Sequence, residues 1–235
     1  MPKPRSAFGH ILYTSEKPDR LGHERGREIF TLTHHEDGSR TLTAHSEIDD
    51  APNVVRDVSQ TVDKDWMPMD SSVRITVGGQ FTGSAWFRFA DGLAECETHT
   101  AHEGRVSQRM AAARPRAFGN HAIATDGWMT NVYDLTKGPG LQKFPHLIVS
   151  SPDHRGATGP LMFAMGTGMR FVGRESVDVK AGTFDALHFQ VVAPELPKEH
   201  PPYDVWVTAD GDYIFLKGRV TGYMQTHYEL TKLER

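Results

Sequence analysis

Apolar and polar positions alternate with a period of two along most of this chain, the pattern of strands that bury one face. Residues 27–34 and 40–48 are two such runs separated by a segment containing Asp37-Gly38. Gly and Asp accept the positive φ that a tight turn needs, so the pair predicts a hairpin. The run at 54–64 alternates through Val54, Arg56, Val58, Gln60 and Val62, and residues 72–77 place Val73, Ile75 and Val77 on one face. Residues 80–89 send Phe81, Ala85, Phe87 and Phe89 inward together. Asp91-Gly92 then turns the chain into 93–100, and Glu103-Gly104 turns it into 105–112. Short strands at such regular spacing predict a meander that closes into a barrel or a strongly curved sheet.

The middle of the chain breaks the alternation. Residues 113–142 hold two prolines, several glycines and a short helix predicted from about 121 to 134. A segment this long inside a compact domain is expected to serve as a lid or to carry function. Strand signals resume at 144–150, followed by a stretch with Gly156, Gly159, Gly166 and Gly168. Residues 169–179 and 183–192 form a predicted hairpin around Lys180-Ala181-Gly182. Beyond the proline-rich link Pro194–Pro202, strands are expected at 203–208, 213–217 and 219–231, with turns at Asp210-Gly211 and Lys217-Gly218. The expected class is all-β: one domain over 1–235, an antiparallel meander closed into a barrel or strongly curved half-barrel, with a short helical lid at about 113–142.

Composition narrows the partners. The chain has 235 residues, 13 histidines, one cysteine and a net charge of −4. A single thiol, Cys96, excludes an internal disulfide framework and a cysteine zinc site. The acidic balance argues against a nucleic-acid partner. No run approaches the roughly 18 apolar residues of a membrane helix, so no membrane insertion is expected. The opening residues lack the apolar run of a secretory leader, so a cytoplasmic location is expected. An unpaired strand edge would permit a homodimer.

The standard catalytic signatures are absent. There is no Gly-x-Ser-x-Gly elbow, no phosphate-binding Walker loop and no His-Glu-x-x-His, and Gly166-Thr167-Gly168 lacks the third glycine of a dinucleotide fingerprint. No cofactor is therefore expected. Glu95, Glu97 and His99 share a strand face at a spacing that could hold a metal, but their face is otherwise polar and reads as solvated; no metal is expected. The histidines on apolar or lid segments are more informative, because a buried imidazole near neutrality can act as an acid or base. His146, His188, His121 and Tyr223 are the candidate proton handlers, with Arg170 as the partner of a developing anion. Asp126 falls on the same lid segment as His121. Trp206, Trp128, Arg88, Phe184 and Met169 are the candidate substrate-binding residues. Each of these also has a simpler reading, as a hydrogen-bonded core residue or a surface side chain.

The stretch from Phe171 to Phe189 carries Val172-Gly173-x-Glu175-x-Val177-x-Val179-x-Ala181-Gly182-x-Phe184-x-Ala186-x-x-Phe189. This resembles bacterial DUF-type barrel and half-barrel proteins, related in style to lipoprotein-carrier and lipid-binding β-folds. Gly26-Arg27-Glu28-Ile29-Phe30, and Asp204-Val205-Trp206-Val207-Thr208 with Tyr223 and Tyr228, fit the same pattern. The resemblance implies a twisted antiparallel sheet around an apolar ligand cavity. In size and class the chain is also similar to the cofactor-independent γ-formaldehyde lyases of lignin-dimer breakdown. The expected function is thus a cofactor-independent lyase, of the deformylation or elimination type, acting on a hydrophobic aromatic small molecule. The alternative is a non-catalytic protein that binds lipid or another apolar ligand.

Overall fold

The computed structural model describes residues 5–111, 114–192 and 201–235. Eight strands run first: β1 (Arg5–Ser15), β2 (Glu24–His34), β3 (Arg40–Ile48), β4 (Val54–Val62), β5 (Pro68–Val77), β6 (Gln80–Ala90), β7 (Leu93–Thr100) and β8 (Gly104–Met110). A two-residue strand β9 (Phe118–Gly119) and a short helix α1 (Ile123–Met129) follow. The chain ends with β10 (Gly140–Val149), β11 (Phe163–Val179), β12 (Gly182–Val192), β13 (Tyr203–Thr208), β14 (Phe215–Val220) and β15 (Thr226–Glu234). Most of the proline-rich link predicted at 194–202 lies outside the described residues.

All fifteen strands belong to one sheet, in the order β8-β7-β6-β5-β4-β3-β2-β1-β15-β14-β13-β12-β11-β10-β9. Every pair is antiparallel except the short β9–β10 contact. The ends of this order, β8 and β9, do not pair with each other, so the sheet is a strongly curved half-barrel rather than a closed barrel. The seam is spanned by the segment after β10. The Gln108 side chain on β8 donates to the Met162 carbonyl (3.1 Å) and accepts from the Met162 N–H (2.6 Å), and Thr98 on β7 donates to the Pro160 carbonyl (2.7 Å).

Alternation explains the core. Ile11 and Tyr13 on β1, Phe30 and Leu32 on β2, Val58 on β4, and Val205 and Val207 on β13 point into one hollow, where they pack with Trp128 of α1. The helix fills the space that the curved sheet leaves, and single-turn helices at 130–132 and 135–137 continue the segment predicted as helical.

Four details differ from the sequence reading. β1 was not expected, because Gly9 and His10 interrupt a clean apolar alternation. Phe81 lies on the outer face, stacked on His99 with Arg74 above it, because the register shifts between Ile75 and Thr76 and reverses the phase of the strand end. The single strand expected at 219–231 is two strands joined by a turn, in which Gln225 takes a positive φ of 42°. Tyr223 and Gln225 therefore belong to that turn. Gly218, expected in a turn, lies within β14, where the Tyr203 ring covers it.

Candidate functional site

Several polar residues occupy inward-facing strand positions otherwise filled by apolar side chains. Glu28 on β2 is fully buried, and Arg56 on β4 is 3% exposed. The Glu28 carboxylate accepts hydrogen bonds from the Tyr13 hydroxyl (2.9 Å), the Ser46 hydroxyl (2.7 Å) and the backbone N–H groups of Ile123 (2.9 Å) and Ala124 (2.7 Å). It thus caps α1, whose first N–H groups have no partner within the helix. Nearby, the Asn120 side chain donates to Gln60 of β4 (2.6 Å) and accepts from the Ala122 N–H and the Thr125 hydroxyl. Arg56 donates to the backbone carbonyls of His121, Arg155 and Gly156, which ties the start of the helix segment to the seam segment. Burial pulls the Arg56 guanidinium down from its usual range, opposed by Tyr13 and Glu28.

Two neighbouring cavities with shared wall residues lie around this anchor. The outer lobe, about 460 Å³, is lined by Arg20, Arg25, Arg56 and Arg155, with Asp50 as the single carboxylate on its wall among the described residues. Burial raises Asp50, but its contacts with Arg25 and Arg20 reverse this and hold it below the usual carboxylate range. The inner lobe, about 180 Å³, is walled chiefly by Met129, Val149, Met165, Val191 and Val220. His121, Ile123, His154, Met224 and Tyr228 line both lobes.

The inner lobe also contains Asp126 of α1, Tyr203 and Tyr228. Burial, reinforced by the Glu28 charge, pushes the Asp126 carboxyl up to about 7, against the opposing pull of Tyr203 and Arg56. Burial and the Asp126 charge hold the Tyr203 phenol well above its ordinary value, and burial pushes Tyr228 up to about 12. Both phenols therefore stay protonated near neutrality. The Tyr203 hydroxyl is enclosed rather than open to the lobe, and its pull on Asp126 is that of a hydrogen-bond donor held outside ordinary geometry.

The candidates named from sequence do not converge on one point. His121 is at the junction of the lobes, held at a positive φ of 65°, with Nε2 3.1 Å from the Ser151 carbonyl oxygen. Tyr223 is exposed and reaches the mouth through His154, its hydroxyl 3.1 Å from His154 Nδ1. The side chain of His146 lies outside the described residues. His188 is on the outer face, because strand alternation sends its neighbours Leu187 and Phe189 inward. There it stacks on Trp206 at 3.9 Å and meets Asp204 at 2.9 Å, while Lys217 covers the indole. Arg170 is exposed on β11. Arg88 is also on the outer face, paired with Glu95 at 2.9 Å.

Of the remaining substrate-binding candidates, Met169 and Trp128 are core residues, Trp128 lying edge-on against Trp66. Phe184 is half-buried and packs against the core. None of Trp206, Trp128, Arg88, Phe184 and Met169 lines either lobe. The possible metal face also resolves as solvated: Glu95 pairs with Arg88 and Arg109, and His99 lies against Phe81. Cys96 is buried, and burial pushes its thiol up to about 12.

Glu28, Arg56 and Tyr203 were missed by searching for histidines. Glu28 and Arg56 carried a signal nonetheless, as charged residues in the apolar phase of β2 and β4. Ionised side chains are almost never fully buried without a specific partner, so such positions mark an internal polar site.

A β-barrel-like protein of domain of unknown function DUF1849 from Brucella abortus superposes on this chain with a TM-score of 0.59, at 14% identity over 98% of this chain and 97% of that one. The fold is of that β-barrel-like kind. This agrees with the DUF-type half-barrel expected from the Phe171–Phe189 stretch, and none of the structures compared here is described as a lyase. A Bacteroides fragilis structure, described as "a putative exported protein with YmcC-like fold", aligns over 99% of this chain and 97% of that one at 7% identity and TM-score 0.40. A Parabacteroides distasonis structure, described as "a putative lipoprotein", aligns over 100% and 97% at 10% identity and TM-score 0.31. The cytoplasmic expectation is corrected: the structures that align with this chain include one described as an exported protein and one described as a lipoprotein. No protein-family profile and no curated protein sequence matches the chain.

Proposed function

We propose that the two-lobed cavity binds a small amphiphile, its anionic end among the arginines of the outer lobe and its apolar part in the inner lobe. The observation that carries this reading is that an arginine-lined lobe adjoins an apolar one, the two sharing His121, Ile123 and Met224 as wall. Guanidinium groups suit carboxylate or phosphate heads, and the inner volume suits a chain of about six carbons at roughly 30 Å³ each. The two volumes together fall within the usual size of a small-molecule site, about 300–1,000 Å³. Calorimetric titration with octanoate, octanol and octylamine tests the reading. Octanoate is expected to bind at least about tenfold more tightly than octylamine, and Arg155→Ala to weaken octanoate several-fold. Equal binding of the amine, or no binding of octanoate, overturns the reading.

A second reading, the cofactor-independent lyase, is favoured by one observation. Asp126, balanced near neutrality, shares the inner lobe with the protonated Tyr228 phenol, so a base and an acid border one largely apolar volume. In a deformylation the base takes the proton of a primary alcohol and the carbon–carbon bond breaks to release formaldehyde. The freed electron pair forms a carbon–carbon double bond, and a phenol protonates the oxygen that departs from the next carbon. Formaldehyde released from a diaryl primary alcohol by the wild type, and reduced about 100-fold or more in Asp126→Asn, would support this; no release by the wild type would sink it.

A further inference from the structure

Three exposed apolar side chains gather at one place on the outer surface. Leu141 on β10, Val172 on β11 and Leu135 in the single-turn helix at 135–137 are 43%, 49% and 39% exposed. Leu141 stands opposite Arg170 across the β10–β11 ladder and lies over Gly168, where a Cβ would meet its Cδ1 at 3.0 Å. Gly140 pairs with Phe171, the residue before Val172. The turn that carries Leu135 is held against the same strand. There the Gln142 side chain accepts from the Asp134 N–H (3.0 Å) and donates to the Asp134 carbonyl (2.9 Å), while the Tyr133 hydroxyl meets the Gly138 and Gly140 carbonyls.

Cations surround this cluster. An open cleft of about 590 Å³ beside it is lined by Arg116, Lys137 and Lys143, with Asp134 as the carboxylate on its wall among the described residues. Lys137 meets Asp134 at 3.6 Å, whereas Arg116, Lys143 and Arg170 form no ion pair with any described residue. Exposed arginines elsewhere on the sheet are paired, Arg88 and Arg109 with Glu95, and Arg174 with Asp185. The chain as a whole carries a net charge of −4, so this local excess of positive charge runs against the balance of the molecule.

We propose that this face docks on an anionic lipid surface, with Leu135, Leu141 and Val172 entering the headgroup boundary and the surrounding lysines and arginines resting on lipid phosphates. Single exposed apolar residues are ordinary on a protein surface, but an apolar cluster ringed by cations is how interfacial proteins engage a bilayer. A small soluble anion would gain nothing from three apolar side chains held in water. Each Lys or Arg close to an anionic bilayer contributes roughly fivefold in affinity. The face is separate from the two lobes. Met165 and Thr167 of β11 line the inner lobe, while Arg170, in the opposite phase of that strand, is exposed on the outer side. None of the docking residues lines either lobe, so this proposal stands or falls apart from amphiphile binding.

Co-sedimentation with vesicles tests it, using phosphatidylcholine alone and phosphatidylcholine mixed with phosphatidylglycerol, at about 0.1 M salt. The wild type is expected to bind the anionic vesicles about tenfold or more tightly than the neutral ones. Lys137→Gln with Lys143→Gln should weaken that binding about tenfold or more, and Leu141→Ser with Val172→Ser several-fold. Arg105→Gln with Arg109→Gln, which removes two exposed cations from β8, should leave it within about twofold. All of the side chains changed are exposed, so each variant should keep the wild-type thermal midpoint. Failure of the wild type to bind anionic vesicles overturns the proposal, and so does an equal loss in the Arg105 and Arg109 variant. Binding to polyglutamate but not to the vesicles, lost with the two lysines, would give the face to an acidic polypeptide and overturn the lipid surface as well.

Discussion

Glu28 shows what a buried charge requires. It is fully enclosed, and two side-chain hydroxyls and two backbone N–H groups converge on its carboxylate. Glu28→Ala would leave those donors unpaired and remove the negative charge that faces Arg56, so a loss of about 3–5 kcal/mol is expected in urea unfolding. Glu28→Gln keeps the shape and part of the hydrogen bonding and should cost less, about 1–3 kcal/mol. Asp126 behaves in the opposite way. Its folded value is raised from 3.8 to about 7, so between those limits the folded chain holds a proton that the unfolded chain has released. Stability is therefore expected to fall as the pH rises from about 4 to about 7 and to level off above. Asp126→Asn should remove that slope and stabilise the protein by on the order of 2 kcal/mol at about pH 8, as read from urea midpoints across the pH range. A wild-type midpoint that is flat over this window would contradict the neutral carboxyl.

At the scale of elements, α1 depends on its surroundings. It has seven residues, no side-chain cap of its own, and its N–H groups end on a carboxylate from a strand 95 residues away in sequence. The seam segment meets it at Gly156, which has a φ of +59°. A Cβ there would stand 2.7 Å from His121 Cγ and 2.8 Å from Arg56 Nη2. Gly156→Ala should cost about 1–3 kcal/mol and weaken octanoate binding, because His121 and Arg56 must both move; thermal melts and titration check the two effects. The strands were legible because alternation is a local property, and the hairpin around Lys180-Ala181-Gly182 and the strand at 203–208 follow it closely. The site was less legible because it depends on which strands face each other across the hollow. Glu28 and Arg56 could be seen as out of place in their own runs, but nothing local says that Ile123 and Gly156 are their partners. His188 misled for a related reason. The apolar neighbours that made it look enclosed belong to the other face of its strand.

For the whole molecule, the sheet consists of two meanders joined by their first and last strands. β1 pairs with β15 from Phe8↔Glu234 to Ser15↔Thr226, while every other antiparallel neighbour follows its partner directly in the chain. The cavity lies where the two meanders face each other, with walls from β1, β2 and β4 on one side and β10 to β15 on the other. Its outer lobe draws its arginines from the region around β1 and β2, from β4 and from the seam segment, so an intact site reports that both halves and the seam are in place.

The β1–β15 ladder has a kinetic consequence. A pairing between strands more than 200 residues apart must close a very large loop, and such contacts slow folding. The strands that flank this long separation in the opposite sense, β8 and β9, are unpaired edges of the sheet. Joining residue 235 to residue 5 through a short linker and opening the chain after Ala111 would therefore give a circular permutant in which each strand pairs with its successor from one edge of the sheet to the other. That permutant is expected to refold about tenfold faster or more in stopped-flow experiments, with its unfolding rate little changed. The sheet is in this sense a single uninterrupted ribbon cut between β15 and β1, and those two strands must meet before the hollow can form.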